Sequence, residues 1–228
     1  MRHHIEFFRQ FRQRFHTTGS VIPSSRFLAR AMTGPLKRRD QPARILEVGP
    51  GTGAITQRIV SLMNDGDRFD LVEINAAFAD VLQRRFERGP AFRRVAGQSA
   101  IHTCPIQEFA ADEPYDFIVS GLPLNNFSTE LVEEIFETFF RLLARDGVLT
   151  YYEYMAVRPL RKVVGRKTER ERIRELDALL RSYLERHRIH RNWVLCNVPP
   201  AWVQHLRVDD PQRHAPQFAD AEITERSD

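Results

Sequence analysis

The segment from Ile45 to Ala54 constrains the fold of this chain more than any other. Its sequence, ILEVGPGTGA, joins an apolar run of strand character to glycines at alternate positions, Gly49, Gly51 and Gly53. Glycine adopts backbone angles that other residues avoid, and it lets a ligand approach where a Cβ atom would collide. A helical pattern begins directly at Ala54. We therefore expect a strand, a tight ligand-binding turn and a helix.

Two classes of nucleotide-like cofactor use such a turn, and the nearby acidic residues distinguish them. Glu73 ends the next apolar run, where a carboxylate can bind ribose hydroxyls. Glu47 is expected to face the mouth of the turn, where it would repel the pyrophosphate of a dinucleotide but would suit the ammonium and sulfonium of S-adenosylmethionine. A glycine-rich turn without a ligand is a further alternative. The pattern E-x-G-x-G-x-G resembles motif I of class I methyltransferases, which implies S-adenosylmethionine as cofactor and S-adenosylhomocysteine as product.

Composition narrows the class of protein and its partners. The 228 residues with 42% hydrophobic content suffice for one sizeable core. The two cysteines, Cys104 and Cys196, suggest neither a disulfide framework nor a metal site. The chain shows no signal peptide and no apolar run long enough to span a membrane, so a cytoplasmic protein is expected. The net charge of +4 favours a polyanionic partner, either nucleic acid or an anionic membrane.

From Ala43 onward, strand-like runs alternate with helical patterns, which predicts a parallel sheet with helices on both faces. The predicted strands are residues 44–48, 69–73, 92–95 (alone or with 100–104), 116–120, 148–154, 192–196 and 202–208. The expected fold class is α/β, a Rossmann-like class I methyltransferase with a seven-stranded, mostly parallel sheet and an antiparallel C-terminal edge. Residues 36–208 form this domain, residues 1–35 are N-terminal helices, and residues 209–228 are a poorly ordered tail.

Residues 1–15 predict an amphipathic helix. Phenylalanines on one face and flanking arginines suit a helix that lies in the interface of an anionic membrane, although a surface helix docked on the domain would show the same pattern. The proposed membrane contacts are Phe7, Phe8, Arg9, Phe11, Arg12 and Phe15. The loop that follows, residues 17–26, lies either across the cofactor mouth or in a plain linker. Ser24 or Ser25 can cap the helix predicted over residues 26–32.

Ligands of doubly wound sheets bind beyond the carboxyl ends of the strands. Ile74 follows Glu73 and can cover one face of adenine. Pro105 stands where related enzymes place an acid near the adenine amino group, so Ile106 or Gln107 is expected to serve there. The residues expected to bind the cofactor are Gly19, Ser20, Ser25, Glu47, Gly49, Gly51, Thr52, Gly53, Glu73, Ile74, Ile106, Gln107, Ser120 and Gly121.

The segment 120–127, SGLPLNNF, follows the fourth strand and bears on the methyl acceptor. Adenine and cytosine amino-methyltransferases resemble it, with N/D-P-P-Y/F or N-L-P-Y/F at this place, where the polar residue holds the amino group and the aromatic ring stacks on the flipped base. Here Gly121 replaces the polar residue and Leu124 replaces the aromatic residue. Stacking is worth about 1–3 kcal/mol per base, so a nucleobase acceptor is disfavoured.

Four ordered motifs resemble soluble bacterial phosphatidylethanolamine N-methyltransferases over residues 15–205. They are GSVIPSSR (19–26), EVGPGTG (47–53), SGLPLNNF (120–127) and NVPPA (197–201). The resemblance implies up to three methylations of a phospholipid amine, toward phosphatidylcholine, by a protein attached peripherally to the inner face of the cell membrane. The expected substrate contacts are Leu122, Pro123, Leu124 and Asn125, with Arg158 and Arg161 placed to meet the lipid phosphate.

The fifth strand ends in aromatic residues that could contact the lipid amine. Strand alternation puts Tyr152 and Tyr154 on one face and Tyr151 and Glu153 on the other. Tyrosines at this edge can hold an ammonium by cation–π contact, or they can simply pack on a helix. Tyr154, Tyr152, Glu153 or a water could accept the proton that the amine loses. An RNA adenine N6-dimethyltransferase and a membrane scaffold without turnover are the rival functions.

Overall fold

The computed structural model describes residues 25–155 and 167–208 of the chain. The strands are β1 (Arg44–Val48), β2 (Arg68–Val72), β3 (Ser99–His102), β4 (Tyr115–Ser120), β5 (Leu143–Tyr154), β6 (Arg188–Val194) and β7 (Ala201–Leu206). The α-helices are α1 (Arg26–Met32), α2 (Gly34–Lys37), α3 (Ala54–Leu62), α4 (Ala76–Arg88), α5 (Pro90–Arg94), α6 (Thr129–Leu142) and α7 (Lys167–His187). The predictions for the N-terminal membrane helix, the basic segment after β5 and the tail lie outside the described residues.

The strands form one seven-stranded sheet in the order β3-β2-β1-β4-β5-β7-β6. The first five strands in that order are parallel, β7 runs antiparallel to β5, and β6 runs antiparallel to β7. The order reverses direction between β1 and β4, which is the switch point where doubly wound sheets bind ligands. The predicted fold class is confirmed.

Apolar residues on the two faces of the sheet make two buried clusters. Leu46 and Val48 of β1 face the cluster that α6 and α7 complete, whereas Ile45 faces the cluster that α1, α3 and α4 complete. Alternation along a strand sends neighbouring side chains to opposite faces, and helices on both sides then cover each apolar face. Leu28 and Met32 of α1 are fully buried in the second cluster. Helix α1 is therefore packed against the sheet.

Polar side chains cap three of the helices. Ser25 Oγ accepts from the Leu28 amide at 3.2 Å at the start of α1, which selects Ser25 over Ser24 as its cap. Asn75 Oδ1 accepts from the Ala77 amide at 3.0 Å at the start of α4. Ser128 caps α6 in the same way. Such caps satisfy amide groups that the helix itself leaves without acceptors.

The third strand differs from the prediction, because residues 92–95 lie in and directly after helix α5 and not in a strand. Phe92 and Val95 are three residues apart and both are buried, as on one face of a helix, and the Phe92 ring meets Phe86 edge-on at 5.1 Å. Pro90 opens the helix at a position where its missing amide costs nothing. Only residues 99–102 form β3.

Two further boundaries differ from expectation. Strand β5 begins at Leu143 and passes through Asp146, which has a positive φ of 65° and a shift in register beside it. Strand β6 begins at Arg188, four residues before the strand expected over residues 192–196. Among the residues that the structure describes, no helix has the length and apolar content needed to cross a bilayer.

Candidate cofactor and acceptor site

The turn between β1 and α3 is built from glycines in the left-handed region. Gly49, Gly51 and Gly53 have φ values of 70°, 57° and 85°. The Gly49 amide donates to the Val72 carbonyl at 2.9 Å, which ties the turn to the end of β2. No heavy atom lies within 4 Å of the place where a Cβ of Gly51 would stand, so this glycine leaves open space over the turn. The backbone is therefore shaped to admit a ligand, and Thr52 lies exposed at its rim.

Glu73 lies directly after β2 and organises the mouth of this turn. Its carboxylate accepts from the Gly51 amide at 3.0 Å and from the Asn75 amide at 2.9 Å. Each carboxylate oxygen can accept more than one hydrogen bond, so both stay available to ribose hydroxyls. Ile74, half-buried, is the next residue along the chain. The expected roles of Glu73 and Ile74 in binding ribose and adenine stay predictions.

Glu47 lies inside the protein, which corrects the expectation that it faces the open mouth of the turn. Its side chain is 0% exposed because β1 is enclosed between β2 and β4. Neither carboxylate oxygen has a hydrogen-bond partner of good geometry among the described residues. Burial raises the pKa of Glu47 to about 8, against a smaller lowering by the nearby hydroxyl and amide of Thr56. A buried carboxyl of this kind is stabilised by a cationic group, and the ammonium of S-adenosylmethionine is such a group.

Ile106 and Gln107 lie in a short 3₁₀ helix, Ile106–Glu108, after β3. The Ile106 side chain is buried within the core cluster on the α6 face, so its packing role is clear. Gln107 differs, because its Oε1 is buried and has no hydrogen-bond partner among the described residues. An amide oxygen accepts from an amino group, as the adenine of the cofactor would require. The orphaned oxygens of Glu47 and Gln107 and the open glycine turn fit S-adenosylmethionine.

The loop after β4 is interlocked with the glycine turn. The Gly121 amide donates to the Val48 carbonyl at 2.8 Å, and a Cβ on Gly121 would lie 2.6 Å from the Gly49 carbonyl oxygen. Any larger residue would have to displace one of the two backbones. Ser120 is fully buried at the end of β4, and its Oγ accepts weakly from the Leu122 amide at 3.4 Å. The structure thus gives a steric reason for the glycine where amino-methyltransferases carry a polar residue.

Arg172 of α7 holds the rest of this loop, and sequence reasoning did not identify it. Its guanidinium donates to the Phe127 carbonyl at 2.5 Å and to the Asn125 carbonyl at 3.3 Å. Leu124, Asn125 and Phe127 are all buried. Arg172 lies four residues before Leu176 and so shares the apolar face of α7. An arginine in an apolar stripe is the signal that could have revealed it.

The candidates for proton transfer on β5 lie on two faces of the sheet. The Tyr151 ring packs edge-on against Phe136 of α6 at 5.4 Å, and Glu153, 2% exposed, lies on that same face. Tyr152 and Tyr154 lie on the opposite face with ring centroids 5.2 Å apart. Burial, reinforced by Tyr154, raises the pKa of Tyr152 above its usual range, so this hydroxyl stays protonated. Tyr152 therefore lies beside Tyr154, whereas Glu153 lies on the opposite face of the sheet.

The remaining predicted site residues divide into two groups. Ser25 lies at the start of α1, half-buried, while Leu122 and Pro123 are half-buried in the loop after β4. Gly19, Ser20, Arg158 and Arg161 lie outside the described residues, so their roles stay predictions. The described residues contain no cluster of three or more potential metal ligands.

Similar proteins agree with this site. Residues 45–147 match the family described as methyltransferase domain. An ornithine lipid N-methyltransferase from Singulisphaera acidiphila is 31% identical over 128 residues, which cover 56% of this chain and 66% of that protein. A ribosomal RNA small subunit methyltransferase A from Synechococcus is 37% identical over 91 residues, covering 39% of this chain and 31% of that enzyme. The chain thus spans about two thirds of the first relative and about a third of the second.

Solved structures show the same fold at low sequence identity. An O-methyltransferase from Bacillus cereus with bound S-adenosylhomocysteine matches with a TM-score of 0.64 and 15% identity, covering 89% of this chain and 90% of that one. An N-methyltransferase from Bradyrhizobium japonicum, also with S-adenosylhomocysteine, matches with a TM-score of 0.56 and 17% identity, covering 82% and 89%. The match over residues 45–147 thus indicates a methyltransferase domain with S-adenosylmethionine as its cofactor, while the bounds expected for the domain, residues 36–208, stay a prediction.

Proposed function

We propose that this protein methylates the amine headgroup of a membrane lipid, with phosphatidylethanolamine and its mono- and dimethyl derivatives as acceptors and phosphatidylcholine as the end product. The observation that carries the proposal is the loop after β4. Gly121 has no room for a polar side chain beside the Gly49 carbonyl, and Leu124 is buried where base-modifying enzymes present a stacking aromatic ring. The similarity to an ornithine lipid N-methyltransferase supports a lipid amine as the acceptor.

The bound cofactor supplies a methyl group that its sulfonium already activates. The chain would hold this group through Glu47, Glu73, Gln107 and the glycine turn, and would position the lipid amine along the loop after β4. Transfer to the neutral amine would form a new N–C bond in place of the C–S bond of the cofactor, and S-adenosylhomocysteine would be the product. Positioning of this kind can supply much of the rate enhancement.

The amine must lose a proton before it attacks, and two observations support a choice among the candidate proton acceptors. Tyr152 is a poor acceptor because its hydroxyl is held protonated, and Glu153 lies on the other face of the sheet. Tyr154 ends β5 at the edge that carries the glycine turn. We therefore propose that a water beside Tyr154 receives the proton, and that the Tyr154 ring faces the methylated ammonium that forms.

A second function, dimethylation of adenine in RNA, is favoured by one finding. Ribosomal RNA small subunit methyltransferases A from Synechococcus and Marinobacter nauticus are 37% and 32% identical to this chain over 91 and 111 residues. Gly121 and Leu124 oppose it, since neither can hold or stack on a flipped base. The lipid acceptor therefore remains the better supported of the two.

One assay distinguishes lipid methylation from RNA methylation. The full chain is incubated with S-adenosylmethionine labelled in its methyl group and with vesicles of phosphatidylethanolamine, vesicles of ornithine lipid, or ribosomal RNA. The proposal expects label in the organic extract as mono-, di- and trimethylated phosphatidylethanolamine. Label in ornithine lipid alone would identify ornithine lipid as the acceptor in place of phosphatidylethanolamine. Label in RNA alone would reject the lipid function. Absence of lipid label from a protein that binds the cofactor would reject it as well.

A further inference from the structure

Exposed apolar side chains are concentrated at one end of the sheet. Trp193, Leu195 and Val198 are 59%, 66% and 70% exposed, and they lie on the end of β6 and on the turn that leads to β7. Val194 pairs with Ala201, which in turn pairs with Tyr154 at the end of β5. The turn therefore lies at the carboxyl edge of the sheet, together with the glycine turn and the loop after β4.

Helix α1 brings a fourth exposed apolar residue to this turn. The Ser25 amide donates to Asn197 Oδ1 at 3.3 Å, and Asn197 Nδ2 donates to the Pro199 carbonyl at 2.8 Å. Asn197 is only 3% exposed, so this link is part of the folded structure. Phe27, two residues after Ser25, is 40% exposed. We call Phe27, Trp193, Leu195 and Val198 the edge patch.

The surroundings of the edge patch are basic. Neither residues 25–39 nor residues 186–208 contain an aspartate or a glutamate. The guanidinium of Arg26 lies 5.1 Å from the centroid of the Phe27 ring, and that of Arg191 lies 5.1 Å from the centroid of the Trp193 ring. Arg26 and Arg191 are both exposed. Each exposed aromatic ring of the patch thus has a cation beside it.

We infer that the edge patch is a docking surface for an anionic lipid bilayer, in which its four apolar side chains enter the interface and the adjacent arginines contact lipid phosphates. Tryptophan and phenylalanine beside arginine suit the boundary between headgroups and acyl chains. Transfer of the Leu195 and Val198 side chains from water to the acyl boundary lowers the free energy of the system. An RNA surface offers no such apolar environment. The anionic charge of a bilayer complements the two segments that lack acidic residues.

This docking would turn the carboxyl edge of the sheet toward the membrane. The glycine turn and the loop after β4 lie at that edge, so a lipid headgroup would reach them without leaving the bilayer surface. Bilayer binding itself does not depend on the acceptor; only its use for substrate delivery rests on the proposed lipid methylation.

The two tryptophans allow a direct test. Trp202→Phe leaves Trp193 as the only tryptophan of the chain. The full-length variant is mixed with vesicles of phosphatidylglycerol and phosphatidylcholine, and its fluorescence is recorded with and without bromine on the lipid acyl chains. We expect a blue shift on binding and quenching by the brominated lipids. Vesicles of phosphatidylcholine alone should give a much smaller response.

Substitutions in the turn after β6 are compared with a control substitution on β6 itself. Leu195→Ser/Val198→Ser should weaken sedimentation with anionic vesicles by about tenfold or more, given the apolar area that would stay in water. Ile189→Ser removes a residue of β6 that is 49% exposed but lies at the opposite end of the strand, so it should leave vesicle binding unchanged. Binding of S-adenosylhomocysteine, measured by calorimetry, should be the same in all of these proteins and shows that each is folded.

Three outcomes would overturn the inference. The first is a protein that binds vesicles while Trp193 is neither shifted nor quenched. The second is fluorescence of Trp193 that iodide does not quench in the absence of lipid but does quench in the Phe7→Ala/Phe11→Ala variant. That result would mean that residues 1–15 cover the edge patch. The third is a response of Trp193 to RNA and not to vesicles. Methylation of detergent-dispersed phosphatidylethanolamine, measured in parallel, tests the proposed function separately because it needs no docking.

Discussion

A fully buried carboxyl group beside a glycine turn makes Glu47 the most informative residue of the site. In the folded protein its pKa is raised by burial to about 8, whereas in the unfolded chain it titrates as an ordinary glutamate. Protonation of Glu47 therefore stabilises the folded state. This contribution is complete below the unfolded pKa and is lost as the pH rises through the folded pKa.

Replacing Glu47 by glutamine should remove this dependence on pH. Without cofactor, the free energy of unfolding of the natural protein should fall from about pH 5 to about pH 8, and that of Glu47→Gln should fall less over the same range. Urea unfolding followed by circular dichroism at several pH values measures both. Parallel curves for the two proteins would contradict the assigned burial of Glu47.

The same substitution should weaken binding of the cofactor, because glutamine offers no negative charge to the cofactor's ammonium group. Charged hydrogen bonds contribute about 1.5–3 kcal/mol, so calorimetry should show an affinity for S-adenosylmethionine lower by about tenfold to a hundredfold. The pH measurement without cofactor and this affinity together separate the structural effect of Glu47 from its effect on binding.

At the scale of elements, an arginine of helix α7 supports the loop after β4. Arg172 donates to two backbone carbonyls of that loop, and a planar guanidinium can reach both at once. A lysine carries the same charge but lacks the fork of donors. The loop is therefore expected to lose its fixed position when Arg172 is changed, whereas the glycine turn keeps its own hydrogen bonds.

Arg172→Lys should reduce kcat/KM for the lipid acceptor by about tenfold, corresponding to the loss of one or two hydrogen bonds of about 1 kcal/mol each. The dissociation constant of S-adenosylhomocysteine should stay within about twofold of the natural protein, since no contact in the glycine turn changes. Arg174→Lys, on the exposed face of α7, is the matched control and should alter neither value. Equal losses in both variants would show that Arg172 does not position the loop.

At the scale of the whole molecule, cofactor binding should increase the free energy of unfolding. A ligand that binds only the folded state adds RT ln(1 + [L]/Kd), which is about 2.7 kcal/mol at a hundred times Kd. S-adenosylhomocysteine at such a concentration should raise the melting temperature in a scanning calorimetry experiment. NAD should not, because residues 45–147 match a methyltransferase domain. A shift with NAD alone would favour the dinucleotide interpretation.

Much of the fold follows from local patterns in the sequence. Strand β1 and the helix after its glycine turn were predicted to within a residue, because alternation, glycine spacing and helical periodicity are local properties. Residues 92–95 were assigned to a strand, since four apolar or basic residues are too few to separate the two periods. The long-range hydrogen bonds were not predicted for a different reason. The residues that form them, Ser25 with Asn197 and Arg172 with Phe127, are far apart in the chain.

The sequence by itself determined the class of fold, the glycine turn and the acids that mark it as a site for S-adenosylmethionine, because these depend on residue types at fixed spacing. The tertiary structure decided how those residues behave. Only the packing of β1 between its neighbours buries Glu47 and raises its pKa, and only the approach of two backbones requires a glycine at position 121. Burial and close contact arise when distant segments meet, and they therefore cannot be read from any one segment of the chain.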